Sequence, residues 1–160
     1  MESTLYKVDD KLVVDNDVRT WCRLPYPSHP YGCPNYGGRK TCPPNSPCLS
    51  SMFNLEDNLF FVTTRFDLGE YVQKMHVSHP SWSEAQCRNL LYWQGSVRSE
   101  LVHVTERMFD YFKPVVITYV PEAMGVDVFS TCTKLGLVLE RNPMKYVYKV
   151  ALVGRPRDNR

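Results

Sequence analysis

The chain has 160 residues, of which 43% are hydrophobic and 22% charged, and its formal net charge at pH 7 is +2. The length suits one domain, and a disordered chain is excluded because such chains have fewer apolar residues and more net charge. The low charge disfavours nucleic acid as a general partner, and the apolar runs are far shorter than the ~20 residues of a bilayer span. Residues 1–10 have no apolar core. We therefore expect no secretory signal, no membrane partner and a cytoplasmic protein.

Cysteine and proline are concentrated between about residues 20 and 50. Cys22, Cys33, Cys42 and Cys48 lie within 27 residues, together with most of the twelve prolines. Proline removes a backbone donor and fixes φ, so this segment cannot form a long helix or a central strand. An irregular loop of this length needs a reason to be ordered, and a metal bound by several thiolates provides one. We therefore predict that these four cysteines bind a metal centre.

The identity of the metal depends on the spacing of the cysteines. Zinc sites usually contain cysteine pairs two to four residues apart, whereas here ten, eight and five residues separate successive cysteines. The ligands of an iron–sulfur cluster can come singly from different loops. We favour a [4Fe–4S] cluster and keep zinc as the alternative. Disulfides and inert buried thiols are the two other interpretations of these cysteines.

Several residues near the cysteines have a predicted supporting role. His29 could replace one cysteine as a ligand, although a loop histidine is more often solvated. Tyr31 and Tyr36 are expected to shield the site from water, because burial sets the potential of a cluster. Arg39 and Lys40 are expected to offset the negative charge of the thiolates.

The chain from about residue 55 to 153 is predicted to form a scaffold. Aromatic and β-branched residues predict a strand over 58–67, and a short helix follows at about 69–75. A capping-box pattern at Ser81–Glu84 begins an apolar stripe, which predicts one helix or two stacked helices ending at about Phe112. Gly95 is the candidate break in this stripe.

The remaining elements follow in the same alternating order. Residues 115–120 predict a buried strand, Asp127 is expected to cap a helix that ends at Gly136, and residues 146–153 predict a last strand. Residues 155–160 are expected to be a solvated tail. The order predicts a single α/β or α+β domain, in which a small mixed sheet and a long amphipathic helix support the irregular metal loop.

The other two cysteines are expected to belong to the core. Cys87 and Cys132 both fall on the apolar face of a predicted helix, where a packed thiol is the usual outcome. No Gly-rich phosphate loop, Ser/His/Asp set or paired-carboxylate motif is present. The sequence therefore names no catalytic residue and leaves open whether the protein is an enzyme.

Two stretches resemble a known family. Residues 32–37 (GCPNYG), followed by 41–44 (TCPP), are similar to the cysteine motif of predicted metal-binding proteins of unknown function found widely in archaea and bacteria. Residues 121–129 (PEAMGVDVF) resemble the C-terminal block of that family, in which a small-residue turn leads into a helix. The resemblance implies a cysteine-bound metal, often assigned as an iron–sulfur cluster, on a small α/β scaffold.

The resemblance assigns ligands residue by residue. It carries over Cys33 and Cys42 directly, and Cys22 and Cys48 join them by proximity. Many members have a second cysteine group shortly before the C-terminal block, but residues 113–121 contain no cysteine. A single centre is therefore expected. The family has no established reaction to transfer.

The sequence thus predicts a protein with one cysteine-ligated metal centre that works in redox, sulfur or modification chemistry, with a redox protein as its candidate partner. The alternative is a non-enzymatic interaction domain stapled by zinc. A metal-free, oxidised domain is the third interpretation.

Overall fold

The computed structural model describes residues 1–26 and 29–158. Its sheet has the strand order β1–β2–β4–β3 and consists of Glu2–Lys7 (β1), Phe60–Asp67 (β2), Val116–Thr118 (β3) and Tyr146–Gly154 (β4). The α-helices are Leu49–Met52 (α1), Leu68–Ser78 (α2), Glu84–Cys87 (α3), Gln94–Phe109 (α4) and Val128–Lys134 (α5). Short 3₁₀ helices cover Asp9–Lys11, Asn16–Arg23, Leu90–Tyr92, Asp110–Phe112 and Pro121–Met124. The predicted α/β or α+β class is confirmed. The pairings of these four strands are all antiparallel, so the sheet is not the mixed sheet predicted, and this pattern is typical of α+β folds, because no crossover helix connects parallel strands.

The two central strands bury both of their faces. On one face, Val62 of β2 and Ala151 of β4 pack against Leu101 and Phe109 of α4. The neighbouring residues along these strands point to the other face because side chains alternate along a strand. There Phe61 and Leu152, with many smaller apolar groups, form the larger core. Complete burial of such side chains stabilises the fold by roughly 1.5–3 kcal/mol each.

The ends of the cysteine-rich segment and of the C-terminal block (residues 121–129) pack on the second face of the sheet. Leu49 and Phe53, which directly follow the cysteine-rich segment, are 2% and 1% exposed in this core. Met124 and Val126, from the C-terminal block, pack in the same cluster. Both motifs of the sequence therefore lie on one side of the sheet.

The long apolar stripe is divided between two α-helices, α3 and α4, and does not form one continuous helix. The capping box lies at Ser83 and Gln86 instead of Ser81 and Glu84, and it begins only the four-residue helix α3. The chain changes direction through the 3₁₀ turn Leu90–Tyr92, and α4 then begins at Gln94, beside the glycine named as the candidate break.

Two terminal segments differ from the prediction. Residues 2–7 form an edge strand, which the sequence did not indicate because its residues are polar and partly exposed. The expected solvated tail is paired at its start: Asn54 donates to the Arg155 carbonyl at 2.9 Å, and Arg157 donates to the Met52 carbonyl at 2.9 Å. Residues 159–160 of that tail lie outside the described residues.

The helices give one result about membranes. Among residues 1–26 and 29–158, no helix combines the length and the apolar content required to cross a bilayer.

Replacing Gly154 by alanine should destabilise the protein by about 1–3 kcal/mol. A Cβ at Gly154 would lie 2.5 Å from Leu59 Cδ2 and 3.0 Å from Phe53 Cδ1, and both of these side chains are fully packed. The control is Gly95→Ala, since nothing lies within 4 Å of the new Cβ and alanine favours a helix by roughly 0.5–1 kcal/mol. Urea unfolding of both variants checks the prediction, and equal effects would contradict it.

Candidate metal centre

The first predicted ligand lies near the end of a 3₁₀ helix. Asp15 caps this helix by accepting from the Asp17 amide at 2.9 Å, and Val18 anchors it in the core. The carbonyl of Cys22 then accepts from the Cys33 amide at 2.7 Å, so the first two cysteines are neighbours although ten residues separate them. Gly32 makes this approach feasible, since its φ is +84° and a Cβ there would lie 2.5 Å from the Cys22 carbonyl oxygen.

The third predicted ligand is held by a series of tight turns. The Cys42 amide donates to the Arg39 carbonyl at 3.1 Å, and the Cys42 carbonyl accepts from the Ser46 amide at 2.9 Å. Asn45 donates from its side chain to the Gly37 carbonyl at 2.9 Å. These bonds replace the regular pattern that the prolines prevent, and they give the loop a definite shape without a helix or a strand.

Cys33 and Cys42 lie close enough to Cys22 for their charges to affect its thiol. All three are partly buried. Burial raises the pKa of the Cys22 thiol, and the nearby charges of Cys33 and Cys42 raise it further. The structure therefore brings three of the four predicted ligands into one neighbourhood.

Cys48 is held differently from the other three. Its side chain is exposed, and its Sγ accepts a hydrogen bond from Arg19 Nη1 at 2.7 Å. The same guanidinium donates to the Ser46 carbonyl at 2.6 Å and to the Pro44 carbonyl at 3.2 Å. Arg19 thus fixes Cys48 by its sulfur and fixes the turn that precedes it. No local pattern indicates this contact, because Arg19 precedes Cys48 by 29 residues.

A complete metal-binding group is not present in this arrangement. Within the described ranges, no set of three or more His, Cys, Asp or Glu side chains is close enough to hold a metal ion as it stands. All six cysteines are free thiols, without a disulfide. The donor type fits a thiophilic metal, and the three sulfurs would have to move together to bind one.

The predicted supporting residues differ in their positions. The His29 ring stacks on Tyr26 with centroids 4.5 Å apart. Tyr31 is 94% exposed and therefore does not shield the site, contrary to the prediction. Tyr36 is partly buried, and the guanidinium carbon of Arg23 lies over its ring, 5.9 Å from the ring centre. Arg39 and Lys40 are both exposed.

The C-terminal block contacts the cysteine loop directly. The Ser46 hydroxyl donates to the Ala123 carbonyl at 2.6 Å in a fully buried bond. The Asp15 amide, just before the helix that carries Cys22, donates to the Gly125 carbonyl at 2.8 Å. Gly125 has a φ of +95°, and a Cβ there would lie 2.7 Å from the side-chain oxygen of Asn16. The cysteine-rich segment and the C-terminal block are therefore neighbours in space.

Glu122 is a residue of this region that the sequence analysis did not single out. It lines a recess of about 270 Å³ with Lys149, so that solvent reaches it, yet the surrounding protein desolvates its carboxyl. Desolvation raises the pKa of Glu122, while the charge of Lys149 opposes the rise. Its charge in turn contributes to the raised pKa values of Cys22 and Cys132. No local pattern could reveal it, because its neighbours come from distant segments.

The two remaining cysteines lie in the core. Cys87 and Cys132 are both 0% exposed, which agrees with their interpretation as packed thiols. Burial raises the pKa of Cys132 to about 12. The Sγ of Cys87 lies 3.5 Å from His76 Nδ1.

Comparison of the chain with protein-family models, with curated proteins and with solved structures finds no match. The function is therefore inferred from the residues of the site.

Replacing Glu122 by glutamine should stabilise the protein increasingly as the pH rises above about 4.5, the ordinary pKa of a glutamate. The folded wild type favours the protonated carboxyl, so its stability is complete below the unfolded pKa and decreases as the pH rises through the folded pKa. Glutamine stays neutral and lacks this dependence. Urea unfolding at pH 4, 6 and 8 measures the difference, and a difference that is constant with pH would contradict the prediction.

Proposed function

We propose that this protein binds a single metal centre through Cys22, Cys33 and Cys42, and that the centre is a [4Fe–4S] cluster. The observation that carries the proposal is the partly buried group of three thiols, in which the charges of two raise the pKa of the third. The resemblance noted in the two sequence motifs points to the same kind of centre, but it rests on those motifs alone, since no family model matches the chain.

The energetics of the loop support a bound metal. Without a cation, burial and the neighbouring Cys33 and Cys42 disfavour the charged form of Cys22, which therefore stays a neutral thiol. A metal removes both effects because its ligands bind as thiolates beside a positive charge. Since the loop has few regular backbone bonds, the binding energy of the metal would also be folding energy for this segment.

The origin of the three ligands favours a cluster over a zinc ion. Cys22 comes from a 3₁₀ helix, while Cys33 and Cys42 come from two separate turns. A zinc site typically uses one tight turn to aim two sulfurs at one ion, and no such pair is present here. Single ligands from separate segments suit the larger dimensions of an iron–sulfur cluster.

Arg19 determines how many cysteines are available. With Cys48 hydrogen-bonded to the guanidinium at 2.7 Å, three cysteines remain for the centre, and one iron of a [4Fe–4S] cluster would be left without a cysteine ligand. Such a centre supplies one-electron transfer and an iron position open to substrate, which suits redox, sulfur or modification chemistry. Binding through all four cysteines would require Arg19 to release Cys48.

The cellular setting belongs to the same proposal. Free thiols and a thiolate-bound centre are typical of a reducing compartment, so we assign the protein to the cytoplasm. A redox protein is then the natural donor or acceptor of electrons for the centre.

A second candidate function is a zinc-stapled interaction domain. The segment that carries the cysteines also presents Tyr31, 94% exposed, Leu24, 59% exposed, and Trp21, 42% exposed. Exposed aromatic groups of this kind are enriched in protein interfaces. In this case the metal would only shape the surface.

Anaerobic purification followed by iron, zinc and sulfide analysis distinguishes the two candidates. We expect about four irons and four acid-labile sulfides per chain and a brown protein with broad visible absorption. A colourless protein with stoichiometric zinc and no acid-labile sulfide would instead establish the zinc domain.

Single cysteine variants test the ligand set. Cys22→Ser, Cys33→Ser and Cys42→Ser should each lose most of the bound iron, whereas Cys48→Ser should retain it, because Cys48 is engaged by Arg19. Cys87→Ala is the control, since that thiol is buried in a separate core cluster. Iron loss in Cys48→Ser equal to that in Cys22→Ser would show that the centre has four cysteine ligands.

A further inference from the structure

A cavity of about 250 Å³ lies between the cysteine-rich segment and β3. The segment contributes Lys40 and Thr41 on one side of Cys42, and Ser46 and Pro47 just before Cys48. The opposite wall is formed by all three residues of β3, which is an edge strand and has no further strand beside it in the sheet. The cavity therefore adjoins the stretch of chain that holds one proposed ligand.

The chemistry of the walls is that of a site for an amphipathic anion. Most of the lining is apolar, including Met52 and Met124, and hydroxyl groups come from Thr41, Ser46 and Thr118. Lys40 is the one charged side chain among the described residues that line it, and in the described part of the chain no acidic group forms an ion pair with Lys40. Its ammonium group is thus available for an anion from outside.

Two other cavities in the described part of the chain that have a cation on their walls lack this property. In the recess beside Glu122, two carboxylates, Glu122 and Glu140, accompany Lys149. In the apolar cavity of about 390 Å³ near α4, the carboxylate of Asp57 accompanies Arg155, whose guanidinium also donates to the carbonyls of Phe112 and Pro114 at 2.8 and 3.0 Å. An uncompensated cation over an apolar wall distinguishes the cavity at Lys40.

We propose that this cavity binds a small organic anion, a carboxylate with an aliphatic body, whose charged end pairs with Lys40. The volume lies just below the 300–1,000 Å³ typical of sites for drug-sized ligands, so the ligand is small. The inference rests on the proposed function in that it names the substrate class of the same centre. A carboxylate held here would lie next to the turn between Cys42 and Cys48, which carries one of the proposed ligands.

Binding of hexanoate to the anaerobically purified protein tests this inference. Ligand-observed NMR should show saturable binding of hexanoate, and hexan-1-ol should bind at least about tenfold more weakly because it lacks the charge-assisted hydrogen bond to Lys40. Lys40→Ala should weaken hexanoate binding by about the same factor. Because Lys40 is exposed, this variant is expected to fold normally.

Two further variants make the test specific to the cavity. Arg39→Ala is the matched control, since Arg39 is the adjacent exposed cation but does not line the cavity. It should leave hexanoate binding unchanged. Val120→Phe, at a lining residue that is 38% exposed, should weaken binding by filling the space. Equal binding of hexanoate and hexan-1-ol, or equal losses in Lys40→Ala and Arg39→Ala, would overturn the inference.

Metal and sulfide analysis of the same samples separates this inference from the proposed function. A protein that contains the cluster but does not distinguish hexanoate from hexan-1-ol would refute the anion site and leave the metal centre intact. Selective hexanoate binding by a protein without iron and sulfide would establish the anion site and refute the proposed cluster.

Discussion

The backbone groups of the proline-rich segment must find hydrogen-bond partners outside any long helix or sheet, and the rest of the structure depends on how this requirement is met. The buried bond from Ser46 to the Ala123 carbonyl, 2.6 Å long, ties the segment to the C-terminal block. The bond from Asp15 to Gly125 ties the block to the helix that carries Cys22. A buried donor or acceptor that lost such a partner would cost about 1–3 kcal/mol. These few contacts therefore hold the loop on the sheet.

The sheet can hold the cysteine-rich segment because its two buried faces pack against different parts of the chain. One face is closed by α4, which leaves the other free for α1 and the C-terminal block. Leu49 and Phe53 anchor the end of the cysteine-rich segment in that second core. Apolar packing thus supplies the stability, while the loop above it retains polar and thiol groups that a core would not tolerate.

The same contacts divide the thiols into three kinds. Cys22, Cys33 and Cys42 share one partly buried neighbourhood, Cys48 is held by a guanidinium, and Cys87 and Cys132 are packed in cores. This division links the fold to the proposed function, since the first group contains the three proposed ligands. The fold also leaves a space beside the loop, with Lys40 on its wall, next to the proposed centre.

The sequence alone determined the elements whose signals are local. Side-chain periodicity predicts the strands near residues 58–67 and 146–153 and the two core cysteines. Capping predicts the helix that begins after Asp127, and the proline content predicts the irregular loop. Only the tertiary structure decided the edge strand β1, the capture of Cys48 by Arg19 and the environment of Glu122. Each of these depends on groups far apart in the chain, and a local pattern carries no record of which distant segment will satisfy a hydrogen bond or desolvate a charge.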